Sequence, residues 1–172
     1  MKAVRALAVL VLVLLVSPSC SESPSAPVTP APEASLIGSL LGPTGLLKCS
    51  SLPSAQSSAT IGPLGGSISA GPHTLVVPPH ALLTPTLITM KVPTGLGVNA
   101  VKFDPEGLRF ATPALLTMSY ANCGLLGNLL PKRIAYTDND LNIKYYLLSL
   151  DNLLSTRVTG KVSHFSDYVV AW

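Results

Sequence analysis

Leu115-Leu116-Thr117-Met118-Ser119-Tyr120 sets apolar Leu116, Met118 and Tyr120 at alternate positions, with polar Thr117 and Ser119 between them. Successive side chains of a strand point to opposite faces, so this alternation marks a strand with one buried and one wet face. Outward from it, short runs of β-formers recur between turn residues. Upstream lie Thr74-Leu75-Val76-Val77, Leu87-Ile88-Thr89-Met90-Lys91-Val92 and Val98-Asn99-Ala100-Val101-Lys102-Phe103. Downstream come Arg133-Ile134-Ala135-Tyr136-Thr137, Ile143-Lys144-Tyr145-Tyr146-Leu147-Leu148, Arg157-Val158-Thr159-Gly160-Lys161-Val162 and Tyr168-Val169-Val170-Ala171-Trp172. Asp138-Asn139-Asp140 between two of these runs is a hairpin signal. No long segment repeats with a helical period. Short strands at regular spacing with turns between them predict an all-β domain, an antiparallel β-sandwich over residues 49–172.

The N-terminus has a different character. Lys2 and Arg5 precede an unbroken apolar run from Ala6 to Val16, a cationic region and hydrophobic stretch typical of an export signal and too short to span a bilayer. Instead of an A-x-A cleavage site the chain continues Val16-Ser17-Pro18-Ser19-Cys20. A cysteine after small residues at this point resembles the lipobox of bacterial lipoproteins. The resemblance implies a signal peptide over residues 1–19, cleavage before Cys20, and lipid on that cysteine. Two or three acyl chains give the stable attachment that a single chain does not. Ser21 follows where inner-membrane retention uses Asp, so the implied location is the bacterial cell envelope, the outer membrane more than the inner. Residues 20–48 form a Pro/Ser-rich tether. Ser21 to Pro32 cannot bury apolar surface, and its prolines favour extended, disordered conformations. Leu36-Ile37-Gly38-Ser39-Leu40-Leu41-Gly42 is apolar but broken by glycines, and the sequence leaves open whether it docks or stays loose.

The chain of 172 residues carries 11 Lys and Arg against 8 Asp and Glu. Loss of Lys2 and Arg5 with the signal brings the charges almost into balance. No electrostatic case remains for a nucleic-acid partner or for adhesion to an anionic membrane surface; membrane contact is through the lipid on Cys20. The charged fraction of 11%, against about 25% in ordinary soluble proteins, leaves little material for a large polar catalytic site. With Cys20 acylated, Cys49 and Cys123 remain in an oxidising compartment, which predicts a disulfide rather than two separate thiols. Closing a loop of about 75 residues stabilises a domain by about 4 kcal/mol in the chain-entropy description.

Ala59-Thr60-Ile61-Gly62-Pro63-Leu64-Gly65-Gly66-Ser67-Ile68, followed by Leu75-Val76-Val77-Pro78-Pro79-His80-Ala81-Leu82, resembles the opening of a ZU5 domain. That family pairs a Gly-Gly turn with a strand ending in Pro-Pro-Gly-Ala-Leu, and His80 stands here at the glycine. Phe103 to Leu116, containing Pro105 and Pro113, resembles the family's segment in which an apolar strand follows a proline. The resemblance covers residues 59–120 and extends more loosely to the C-terminus. It implies a β-sandwich used in protein–protein contacts and scaffolding, with no enzyme site among the matched residues.

The remaining chemistry is sparse. His73, His80 and His164 lack the spacing that would place two imidazoles on one metal, and His73 and His80 are expected near strand ends as turn or surface groups. Asp138-Asn139-Asp140-Leu141-Asn142 places oxygens at alternate positions like the start of a calcium loop, but Ile143 and Ser149 stand where that loop needs Gly and Glu. Hairpin chemistry accounts for the same residues. Ser163-His164-Phe165-Ser166 is the most pointed feature. Where a ZU5 module precedes a second β-domain, a His-Phe-Ser sequence can cleave itself. By that resemblance Ser166 is the nucleophile, His164 the base and Phe165 the source of the attacked carbonyl. Here only Ser166–Trp172 follows, and the preferred reading is a strand entry with Phe165 in the core and His164 and Ser166 satisfying backbone groups. Tyr168 to Trp172 resembles the C-terminal signal of outer-membrane β-barrels, but barrel spans need about nine to eleven residues. The expectation is a non-enzymatic envelope lipoprotein, without cofactor or metal, whose sandwich binds or scaffolds an unidentified protein. Self-processing at Phe165–Ser166 and an outer-membrane barrel are the alternatives.

Overall fold

The computed structural model describes residues 45–124 and 129–172; the signal peptide, Cys20 and most of the tether lie outside the described residues. The elements in chain order are β1 (Ala55–Ile61), β2 (Gly66–Ala70), β3 (His73–Val77), β4 (Thr86–Val92), β5 (Ala100–Asp104) and β6 (Arg109–Ser119). They continue with β7 (Arg133–Thr137), β8 (Ile143–Tyr146), β9 (Ser149–Asn152), β10 (Arg157–His164) and β11 (Asp167–Ala171). The strands form a six-stranded sheet ordered β1-β4-β5-β11-β7-β8 and a five-stranded sheet ordered β2-β3-β6-β10-β9. Every pairing is antiparallel. Among the described residues the chain is therefore an antiparallel β-sandwich with four sheet edges, β1, β8, β2 and β9. This is not the single closed sheet of a barrel.

Alternation fills the space between the sheets. Ile88 and Met90 of β4, Leu116 and Met118 of β6, and Val158 and Val162 of β10 all turn inward and are fully buried. Phe165 fills the middle of this core. Its ring stacks on Phe103 at 4.5 Å and meets Phe110 edge-on at 5.1 Å. Residues 45–48, placed in the tether by sequence, belong to the sandwich. Leu46 bridges Ala171, and the Leu47 N–H donates to the Val170 carbonyl at 3.2 Å. Leu47 itself is buried in the main core.

The Gly-Gly and Pro-Pro segments meet in space. Gly65 has φ +74°, and a Cβ there would lie 2.5 Å from the Val77 carbonyl oxygen and 2.8 Å from Pro78. Only glycine fits that approach. The His80 N–H donates to the Pro63 carbonyl at 2.8 Å, and His80 adopts φ +63°, the left-handed region that favours glycine. Cys49 and Cys123 face each other as an antiparallel bridge with their sulfurs 2.01 Å apart. Beside them Asn99 and Asn122 exchange amide hydrogen bonds at 2.7 and 2.9 Å.

His73 departs from expectation. It opens β3 but is completely buried, because its register partner Ala70 also faces inward and leaves room for the ring. Its Nδ1 accepts the Ser119 N–H at 3.1 Å, and its Nε2 is buried without a partner. Burial, and then the nearby Arg157 charge, lower its pKa from 6.5 to about 4.

Candidate functional site

The His164-Phe165-Ser166 sequence links β10 to β11. Phe165 is locked by its backbone as well as its ring: its N–H donates to Leu108 O at 2.8 Å, and its carbonyl accepts the Gly107 N–H at 3.1 Å. The His164 imidazole packs edge-on against Tyr136 at 5.4 Å, and the His164 carbonyl accepts from the Tyr168 hydroxyl. No hydrogen bond joins the His164 ring to the Ser166 hydroxyl among the described residues. The carbonyl that self-cleavage would attack thus has a donor, while nucleophile and base are not connected.

In the β7–β8 turn, Asp138 Oδ1 accepts from the N–H groups of Asp140 and Asn142 at 3.1 and 2.9 Å. Its Oδ2 pairs with Lys144 Nζ at 2.8 Å. These bonds, that to Lys144 first, hold its carboxyl well below the usual carboxylate range. The oxygens at this turn are occupied in closing it.

No contact residue for a partner is evident from the sequence, yet the structure exposes one apolar corner. Tyr146 ends β8 in the six-stranded sheet, and Ser149 begins β9 in the five-stranded one. Between them the Leu147 N–H donates to Ile134 O at 2.8 Å, whereas Leu148 O accepts from the Lys161 N–H at 3.2 Å. One extended segment therefore changes sheets within two residues, as strands do at sandwich corners. The change leaves Leu148 at 73%, Leu150 at 79% and Leu154 at 100% exposure, with Leu153 half-exposed between them.

The polar side of β9 faces inward and is fully engaged. Ser149 Oγ accepts the Ile134 N–H at 3.0 Å and donates to Leu147 O at 2.9 Å. Asp151 accepts the Tyr120 hydroxyl at 2.6 Å and the Lys132 N–H at 2.8 Å. Lys132 is buried with its ammonium 5.4 Å from the Tyr120 ring centre. Burial pushes the Tyr120 phenol up, with its bond to Asp151 adding to this, and burial pulls the Lys132 amine down.

Outside β9 a groove of about 640 Å³ runs over Leu150, Leu153 and Leu154 and is bordered by Arg157, Thr117 and Thr159. Thr117 and Thr159 hydroxyls bond to each other at 2.9 Å. Among the described residues, Arg157 has no carboxylate within ion-pair distance. The usable sequence signal was the crowding of Leu147, Leu148, Leu150, Leu153 and Leu154 into one stretch, more leucines than either period can turn inward.

Compared with known proteins, the sequence matches no family model and no curated protein.

Proposed function

We propose that this chain is an envelope lipoprotein, anchored through lipid on Cys20, whose ZU5-like sandwich is a protein-binding module. The observation that carries the binding role is the exposed leucine corner at Leu148, Leu150, Leu153 and Leu154 beside an open sheet edge. Contiguous apolar surface of this kind costs solubility and marks interaction sites. The ZU5 likeness is supported by the contact of Gly65 with Pro78 and by the glycine-like backbone of His80. Those are the two segments on which the resemblance rests.

The test has two arms. Labelled palmitate should enter the wild-type chain and not Cys20→Ala; incorporation that survives the substitution removes the anchor. A photo-crosslinking amino acid at Leu154 in intact cells should give protein adducts, and the same group at Glu106, in the β5–β6 turn, should not. Equal labelling at both positions would remove the binding role from this corner.

A further inference from the structure

Of the four sheet edges, β1 shows Gln56, Ser58 and Thr60 outward, β2 shows Ser67 and Ser69, and β8 carries Lys144. A lysine is one way proteins discourage strand pairing at an edge, and the outward side chains of β1 and β2 offer an incoming strand no apolar contact. β9 carries no charge on its outer face: Leu150 and Asn152 are its exposed side chains, with exposed Leu148 just before it. Its register decides which backbone groups are open. Leu148 bonds to Lys161 of β10, and Leu150 and Asn152 are the partners of Thr159 and Arg157. In an antiparallel ladder the hydrogen-bonded pairs alternate, so the backbone N–H and C=O of Ser149 and Asp151 point away from β10, toward the edge.

Resting on the binding role above, we infer that β9 takes up an extended polypeptide as a sixth strand of its sheet, and that this segment carries a carboxylate for Arg157. Backbone groups of the incoming strand pair with Ser149 and Asp151. The residue opposite Leu150 is then in a non-hydrogen-bonded pair, where side chains approach most closely. An apolar residue there packs on Leu150 and covers the groove toward Leu154. Arg157 lies one strand further in, beside Asn152. Strands are about 4.8 Å apart, so its long stem crosses β9 and places the guanidinium beside a residue facing Asn152. Asp151 also borders the groove, but both its oxygens are bound to Tyr120 and Lys132, so the groove offers that residue the cation of Arg157. The complement is an acidic side chain, held by charge-assisted hydrogen bonds.

The test uses the full chain and a fluorescein-labelled peptide of alternating Val and Thr, with one Asp on the Val-bearing face. Fluorescence anisotropy should show saturable binding, weakened about tenfold or more when that Asp is replaced by Asn. Arg157→Gln should bind the Asp and Asn peptides alike. Leu150→Lys, on the exposed face and so without effect on the melting temperature, should weaken both by about tenfold. Absence of saturable binding, or equal affinity of wild type for the two peptides, would overturn the inference. So would a dimer that Leu150→Lys dissociates, because a second copy would then own the edge. Protein adducts at Leu154 in cells without peptide affinity would fail this inference alone; absence of both would fail the binding role as well.

Discussion

Acidification should destabilise this sandwich through His73. The ring is completely buried between the sheets, and its Nδ1 accepts the Ser119 N–H, so it is held as the neutral tautomer with its proton on Nε2. Burial, with Arg157 adding to it, lowers the folded-state pKa to about 4 against an ordinary 6.5. The unfolded chain therefore binds this proton more readily than the folded one. The stabilising effect is complete above pH 6.5 and is lost as pH falls from 6.5 to about 4. Each pH unit of that interval corresponds to about 1.4 kcal/mol, giving a loss of about 3 kcal/mol, a sizeable part of an ordinary domain's stability. Asp138, the carboxylate held low, loses its contribution only below the ordinary carboxylate range, outside this window. Urea unfolding at pH 7, 5.5 and 4 should show the midpoint of the wild type falling across the window. His73→Asn keeps an acceptor for Ser119 without a titrating ring; it should be less stable at pH 7 and nearly flat over the same range. Parallel profiles for the two proteins would refute the assignment.

Three further outcomes follow from the geometry. Replacing Cys49 and Cys123 together by Ala, across a separation of 74 residues, should cost about 4 kcal/mol in urea unfolding; unchanged stability would deny the staple. Gly65→Ala must fit a Cβ 2.5 Å from a carbonyl at φ +74°, whereas Gly95→Ala at φ +80° meets nothing within 4 Å. The first should cost at least about 1 kcal/mol more than the second, and equal losses would contradict the tight approach to Pro78. Mass measurement under denaturing conditions should find the Phe165–Ser166 bond intact in wild type; a fragment ending at Phe165 that disappears in Ser166→Ala would make this a self-processing domain.

How far the fold could be read from sequence depended on which side of each strand carried large side chains. β4, β6, β10 and β11 have Ile, Leu, Met, Val or Tyr inside, and their alternation or apolar run is plain. β1 also alternates in the structure, but its inward residues include Ala55, Ser57 and Ala59, too small or polar to register as a hydrophobic period. β2 begins at Gly66 and passes for the turn beside it. β9 is inverted: Ser149 points in to hold the N–H of Ile134 in β7, Asp151 to hold that of Lys132 just before it, and Leu150 points out. A pattern rule that assumes apolar inside must miss such a strand. His73 escaped for a related reason, since one buried backbone N–H, that of Ser119, required an acceptor that no count of hydrophobic residues reveals.

The same inversion explains why the candidate binding surface was hidden. Ile143 to Leu148 looks like one strand, yet Leu147 still bonds to β7 while Leu148 already bonds to β10. A segment crossing between sheets cannot keep one face inward throughout, because the inward direction changes at the crossing. Leu147 packs against the core and Leu148 does not. The polar residues that follow are drawn in by the unpaired N–H groups of Lys132 and Ile134, which would otherwise be buried without acceptors. Satisfying those groups turns Leu150 outward. The exposed leucines are thus a direct consequence of how the corner meets its hydrogen-bonding needs, and β9 ends its sheet with Ser149 and Asp151 already committed inside.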